Sequence, residues 1–178
     1  MPMMPTNHLA RLLLVAAVLG SCVGCDQFTK QIARERLEGS PPRSFFADTV
    51  RLIYAENPGA FLGLGGQLPP RTRWLVLVAV NALVAAGLTV ILVWYSNMPA
   101  LRAVACALML GGAVGNLIDR VRFDGLVIDF MNLGVGPLRT GIFNVADVAI
   151  MVGAVLLVLP QFAGAKAEAE PPSLSRPQ

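Results

Sequence analysis

The sequence predicts an all-α membrane protein: four transmembrane helices with a small extramembrane β element. Three observations carry that expectation. Of 178 residues, 55% are hydrophobic, and a mean hydropathy of +0.63 is too high for an ordinary soluble domain. The apolar residues gather into four runs long enough to span a bilayer, at about 9–25, 74–95, 100–118 and 142–162. Charged residues, turn formers and two β-rich stretches fill the connections.

A short polar lead, residues 1–8, precedes the first run. Residues 26–39 then mix charge with helix formers until Pro41-Pro42 stops them. Residues 49–55 are β-rich, and strict alternation would put Arg51, Ile53 and Ala55 on one strand face. Asn57-Pro58-Gly59 makes a turn, and Gly63, Gly65 and Gly66 with Pro69-Pro70 close the loop. Trp74 and Trp94 bracket the second run, about 20 residues or roughly 30 Å apart, one at each interface. The third run ends with Gly111 and Gly115 on one face, which lets a neighbouring helix approach closely. Asp124-Gly125 is a turn pair, and residues 126–131 are a second strand candidate. The two strands are expected to form a small sheet resting on the membrane. Residues 1–162 thus form one membrane-embedded domain. From residue 163 the composition turns to Lys, Glu, Pro and Ser, which predicts a disordered polar tail.

The net charge of +3, with no basic run interleaved with aromatics, excludes a nucleic-acid partner. Basic residues beside spans meet membrane lipids instead. Counted by side, Lys30, Arg34, Arg36, Arg43, Arg51, Arg71, Arg73, Arg120, Arg122 and Arg139 oppose only Arg11, Arg102, Lys166 and Arg176. That count alone would place both termini outside. Cys22-x-x-Cys25 has redox or half-zinc-site spacing, but His8 is the sole histidine and no second ligand pair exists. Apolar packing at the end of the first run is the simpler reading of Cys22 and Cys25.

Asp147 lies inside the fourth apolar run. A carboxylate costs about 2.5 kcal/mol or more at the centre of a span and less near its end, so it normally faces a partner, a cavity or a substrate path. Asn144 shares its helical face, and N-terminal capping would account for one of the two. Asn116 and Arg120 share a face at the end of the third run. A plain helix C-terminus would explain Arg120, with Asp119 solvated, but would leave Asn116 without a partner. Asp129 follows in Val127-Ile128-Asp129-Phe130, where the wet face of a strand is its plain alternative. Two carboxylates at one end of a bundle suit acid–base chemistry, because close pairs share a proton. A small proton- or ion-coupled transporter would need similar groups, although broken helices and repeats are lacking. Serine chemistry has no usable histidine, and Lys166 lies beyond the last run from Ser96.

Read together, five motifs resemble the bacterial lipoprotein signal peptidase, signal peptidase II. They are Asp26-Gln27-x-x-Lys30, Asn57-x-Gly59-Ala60-Phe61, Gly111-Gly112-x-x-Gly115-Asn116-Leu117-x-Asp119-Arg120, Val127-x-Asp129-Phe130 and Phe143-Asn144-x-Ala146-Asp147. The resemblance implies an intramembrane aspartyl endopeptidase that removes signal peptides from diacylglyceryl-modified prolipoproteins, cutting just before the lipidated lipobox cysteine. It assigns catalysis to Asp129 and Asp147, and substrate binding or site lining to Asn57, Gly59, Asn116, Arg120, Asn144 and Ala146. Asp26, Lys30 and Phe143 become structural neighbours of the site. It further implies no metal or other cofactor, inhibition by globomycin-type antibiotics, and a short helix beside the β element on the periplasmic face. The implied location is the bacterial inner membrane, with both termini cytoplasmic and the site near the periplasmic face, against the arginine count. One departure is that Phe61 directly follows Ala60, where the family often has two small residues. Leu19-Gly-Ser-Cys22 also resembles a lipobox, but cleavage there would remove the first span.

Overall fold

The computed structural model describes residues 8–59, 67–95 and 97–168. In chain order the elements are α1 (His8–Leu37), β1 (Arg43–Phe45), β2 (Val50–Asn57), α2 (Pro70–Trp94), α3 (Ala100–Arg122), β3 (Val127–Val135), β4 (Leu138–Arg139) and α4 (Val145–Glu168). Helices α1, α2 and α3 are each long and apolar enough to cross a membrane, and Val145–Val158 of α4 is a shorter apolar stretch. Together they make this a multi-pass membrane protein with a small antiparallel sheet. The expected β element is larger than two strands. The glycine-rich loop with Phe61, and residues 169–178 of the tail, lie outside the described residues. Among the described residues no separate short helix accompanies the sheet; the charged stretch 26–37 instead continues α1 without a break.

Small residues explain the packing. Helix α3 lies at the centre, against α1, α2 and α4. A Cβ added at Gly111 would sit 2.7 Å from Cys22 Cβ of α1, and one at Gly115 would sit 2.5 Å from Asp26 Oδ2. At Gly112 it would meet the Ala146 carbonyl oxygen of α4 at 2.3 Å. The close approach expected of Gly111 and Gly115 is therefore made to α1, and Gly112 adds a second approach to α4. Cys22 is buried in this seam while Cys25 is exposed, and both are free thiols. The lipobox lookalike is thus part of a continuous helix packed on α3.

Leu88 and Leu92 of α2 pack with Leu110 of α3 in an apolar core, but many other apolar side chains face outward. Leu9 and Leu13 of α1, Leu75, Leu83 and Val93 of α2, and Met151 and Val155 of α4 are all exposed. A soluble domain would bury such residues, whereas lipid solvates them as well as a protein core would.

The sheet runs β1-β2-β3-β4, antiparallel throughout, and pairs the two predicted strands directly. A register shift between Leu52 and Ala55 breaks the alternation, so Arg51, Ile53 and Ala55 do not follow one regular face. The bulge lets β2 reach Asn57↔Val127, with Ala55 opposite Asp129. Asp124 and Gly125 form the expected turn, with φ of 52° and 90°. A Cβ at Gly125 would lie 3.3 Å from Trp74 Cα, which places the start of α2 at the sheet end of the bundle. At the other end Arg11 is buried and donates to the Tyr95 carbonyl beyond the last turn of α2. The arginine counted as a loose flanking charge is thus a helix C-terminal cap.

Gly112→Ala should destabilise the bundle by about 1–3 kcal/mol, since the obstructing atom is backbone and cannot swing aside. Gly87→Ala, with open space around its Cβ, should be neutral or stabilising by up to about 1 kcal/mol. Thermal unfolding in detergent compares the two; equal melting temperatures would refute the close-approach account.

Candidate active site

The largest fully buried side chains are polar: Lys30, Asn144, Asp26, Asp119 and Asp129. They meet where α1, α3, β3 and the start of α4 converge. Lys30 Nζ spends its three hydrogens on Asp26 Oδ2, Asp119 Oδ2 and Asn116 Oδ1, each at 2.9 Å. Asp26 Oδ1 accepts the Ala146 N–H at 2.8 Å, which anchors α4 to α1. Asp119 Oδ2 also accepts the Ile128 N–H at 3.1 Å, which anchors β3 to α3. Gln27 Nε2 donates to Asp119 Oδ1 and to the Gly115 carbonyl. Asp119 is therefore 1% exposed rather than solvated. Sequence reasoning missed it because a charged residue in the last turn of a helix normally faces water.

On this base sit the two carboxylates. Asp129, 1% exposed, comes from β3 rather than from a wet strand face. Its Oδ1 accepts from Asn144 Nδ2 at 2.6 Å and its Oδ2 from Asn57 Nδ2 at 2.9 Å. Asp147 Oδ1 accepts from Asn116 Nδ2 at 3.0 Å. Its Oδ2 accepts the Asn144 N–H at 3.2 Å, while the Asp147 N–H donates to Asn144 Oδ1 at 3.0 Å. That reciprocal pair is a capping box with Asn144 as N-cap of α4. The capping and site readings of Asn144 and Asp147 hold together: one side chain caps the helix and links both aspartates.

The remaining residues brace the site. Asn57 Oδ1 accepts the Gly59 N–H at 2.9 Å. Arg120 Nη2 donates to the Gly59 carbonyl at 3.1 Å and Nη1 to the Asn116 carbonyl at 3.2 Å, so the turn after β2 is tied to α3. Arg120 Nε is buried and has no partner among the described residues. Phe143 pairs with Met131 through its backbone, which joins the approach to α4 to β3. Ala146 is fully buried, close under Gly112 and Gly115, and contributes packing and its N–H. Burial raises the Asp129 carboxyl to about 6; the charge of Asp147 adds to the rise, and hydrogen bonds from Asn57 and Asn144 oppose it. A pair so placed can hold one proton near neutrality and act as acid and base together. On the sheet, Asp48 pairs with Arg51 and, at 3.4 Å, with Arg139, while Glu56 accepts from Tyr54.

The chain is similar to known proteins over most of its length. Residues 18–163 match the family model described as signal peptidase (SPase) II. The chain is 43% identical over 140 residues to a lipoprotein signal peptidase of Sphingopyxis alaskensis, covering 75% of this chain and 76% of that one. It is 40% identical over 149 residues to one of Moorella thermoacetica, covering 82% and 88%. A bacterial membrane enzyme solved in meso at 2.3 Å shares the fold, with a TM-score of 0.67, 22% identity, and coverage of 93% of this chain and 94% of that one.

Asp119→Ala takes one of two carboxylates from a buried ammonium and unpairs the Ile128 N–H, and should cost about 3–5 kcal/mol of stability. Arg34→Ala breaks the half-exposed pair with Glu38 at 3.6 Å and the contact over the Phe123 ring at 5.0 Å and should cost no more than about 1–2 kcal/mol. Detergent unfolding of the two variants separates them, and comparable losses would contradict the anchoring role of Asp119.

Proposed function

The chain belongs to the signal peptidase II family, a protease family of lipoprotein processing, and from that premise we propose an intramembrane aspartyl endopeptidase. Its substrate is a diacylglyceryl-modified prolipoprotein, cut just before the lipidated cysteine. One observation carries the reading: carboxylates from two different elements, Asp129 and Asp147, accept from the side-chain NH2 and the backbone N–H of the same residue, Asn144, at the sheet end of an apolar bundle. Asn57, Asn116 and Asn144 direct N–H donors at them.

In the proposed reaction water attacks the scissile carbonyl. The ionised aspartate takes a proton from that water, and the neutral one gives its proton to the carbonyl oxygen. Collapse of the resulting gem-diol breaks the C–N bond. The first aspartate then passes its proton to the leaving cysteine nitrogen, and the second recovers its own from the diol. A signal peptide carboxyl and a free cysteine amine result. Arg120 and the Asn57–Gly59 turn bind the substrate backbone beside the pair. The outward apolar faces leave lateral access for acyl chains, which makes the lipid on the cysteine the main determinant of choice. The same reading places the protein in the bacterial inner membrane with four spans, cytoplasmic termini and a periplasmic site, and makes globomycin-type peptides its inhibitors. Neither metal nor cofactor takes part. The transport alternative has no observation in its favour.

The purified protein should cut a diacylglyceryl-cysteine lipobox substrate with EDTA present, and Asp129→Asn should lower the rate by about 10²–10⁴-fold or more. Absence of cutting by the well-folded native chain would overturn the reading.

A pH profile gives a further check. Activity needs one proton on the pair, so the alkaline limb reports loss of that shared proton, to which Asp129, raised to about 6, contributes. The Asn57 hydrogen bond favours the charged form; Asn57→Ala should therefore move that limb upward. A downward shift would show that the Asn57 bond does not favour the ionised carboxylate.

A further inference from the structure

The three amides around the carboxylates are all turned the same way. In each, the oxygen meets a group that can only donate, and the NH2 is left for a carboxylate. For Asn57 the fixing group is the Gly59 N–H, and for Asn144 it is the Asp147 N–H, both backbone. For Asn116 it is a side chain, Lys30 Nζ at 2.9 Å, with a second contact from Asn144 Nδ2 at 3.2 Å. An amide can rotate by half a turn with little change in shape, so its direction is set by such neighbours. Turned over, Asn116 would present an oxygen to Asp147 Oδ1, and two acceptors can meet there only through an added proton. Lys30 cannot swing away to permit this, because its other two hydrogens are held by Asp26 and Asp119 on either side.

We propose that Lys30 is a positioning residue that locks the Asn116 amide with its NH2 toward Asp147, and thereby makes Asp147 the proton-free base and Asp129 the acid. The assignment rests on the aspartyl peptidase reading and sharpens it. The charged groups facing Asp147 agree. Asp129 of β3 is the deeply buried member of the pair. Arg120 of α3 interacts electrostatically most with Asp147, then with Asp119 and Asp129. Asp26 and Asp119 spend their charge on Lys30. The position of Asp147 in the first turn of α4 adds the favourable end of the helix dipole.

Two variants test the lock from opposite sides. Asn116→Asp keeps an oxygen for Lys30 and puts a second one where the NH2 stood, imitating the turned amide without removing the ammonium. Lys30→Met removes the fixing group and leaves the amide. For each, kcat/KM is measured against pH on the lipidated substrate, after wild-type cutting and its loss in Asp129→Asn are in hand. The acid limb, where the base takes up a proton, should move upward by about one pH unit in both variants. A lower rate with the limb unmoved in Asn116→Asp would overturn the proposal and leave Lys30 a purely structural residue. That variant decides the matter by itself if Lys30→Met does not fold. Failure of the wild type to cut would instead sink the peptidase reading, so the two failures are distinguishable.

Discussion

An ammonium group buried between α1 and α3 is the constraint on which the rest of this structure depends. Lys30 is 2% exposed, and an isolated charge in such a place would be expensive by many kcal/mol. It is tolerated because all three hydrogens find acceptors and two of the acceptors are carboxylates. Each acceptor is also engaged elsewhere. Asp26 takes an N–H from the first turn of α4, Asp119 takes the N–H that opens β3, and Asn116 turns toward Asp147. Satisfying one charge therefore sets where two other elements, α4 and β3, begin. Its net effect on stability is smaller than the cost of losing either partner, because desolvation offsets most of the attraction.

The bundle departs from the soluble pattern in two ways: a cluster of buried charged and amide side chains lies beside its apolar core, and many large apolar side chains face outward. Lipid gives no hydrophobic reason for helices to associate, so close packing and interhelical hydrogen bonds must hold them. Gly111, Gly112 and Gly115 supply the first by letting α1 and α4 close on α3. The Lys30 network supplies the second. The two depend on each other: a methyl group at Gly115 would collide with Asp26, the residue that carries the bond to α4.

Stability and chemistry share the same atoms. Asn144 caps α4, and its reciprocal bonds with Asp147 are an ordinary capping box. Its remaining NH2 reaches Asp129 across the gap to β3. The helix thus begins where it does for a local reason, and that beginning delivers the second carboxylate to the first. The bulge in β2 has a comparable effect, since without the shift Asn57 would not fall beside Asp129.

By itself the sequence determined the class of protein, the apolar helices, both long strands, the glycine-lined face of α3 and the two aspartates, Asp129 and Asp147, that the fold brings to one residue, Asn144. These follow from local composition and from the cost of placing a carboxylate in an apolar run, which any neighbour would have to meet. The five ordered motifs carried the family. Only the tertiary structure decided that α1 continues through its charged stretch, that Asp119 is buried rather than wet, that Arg11 caps α2, and which way Asn116 faces. Each of those depends on a partner from a distant part of the chain: Asp26 on Ala146, Asp119 on Ile128 and Lys30, Arg11 on Tyr95. A charged side chain reads the same in sequence whether it meets water or a buried counter-ion, and the helix that brings the counter-ion is what distinguishes them.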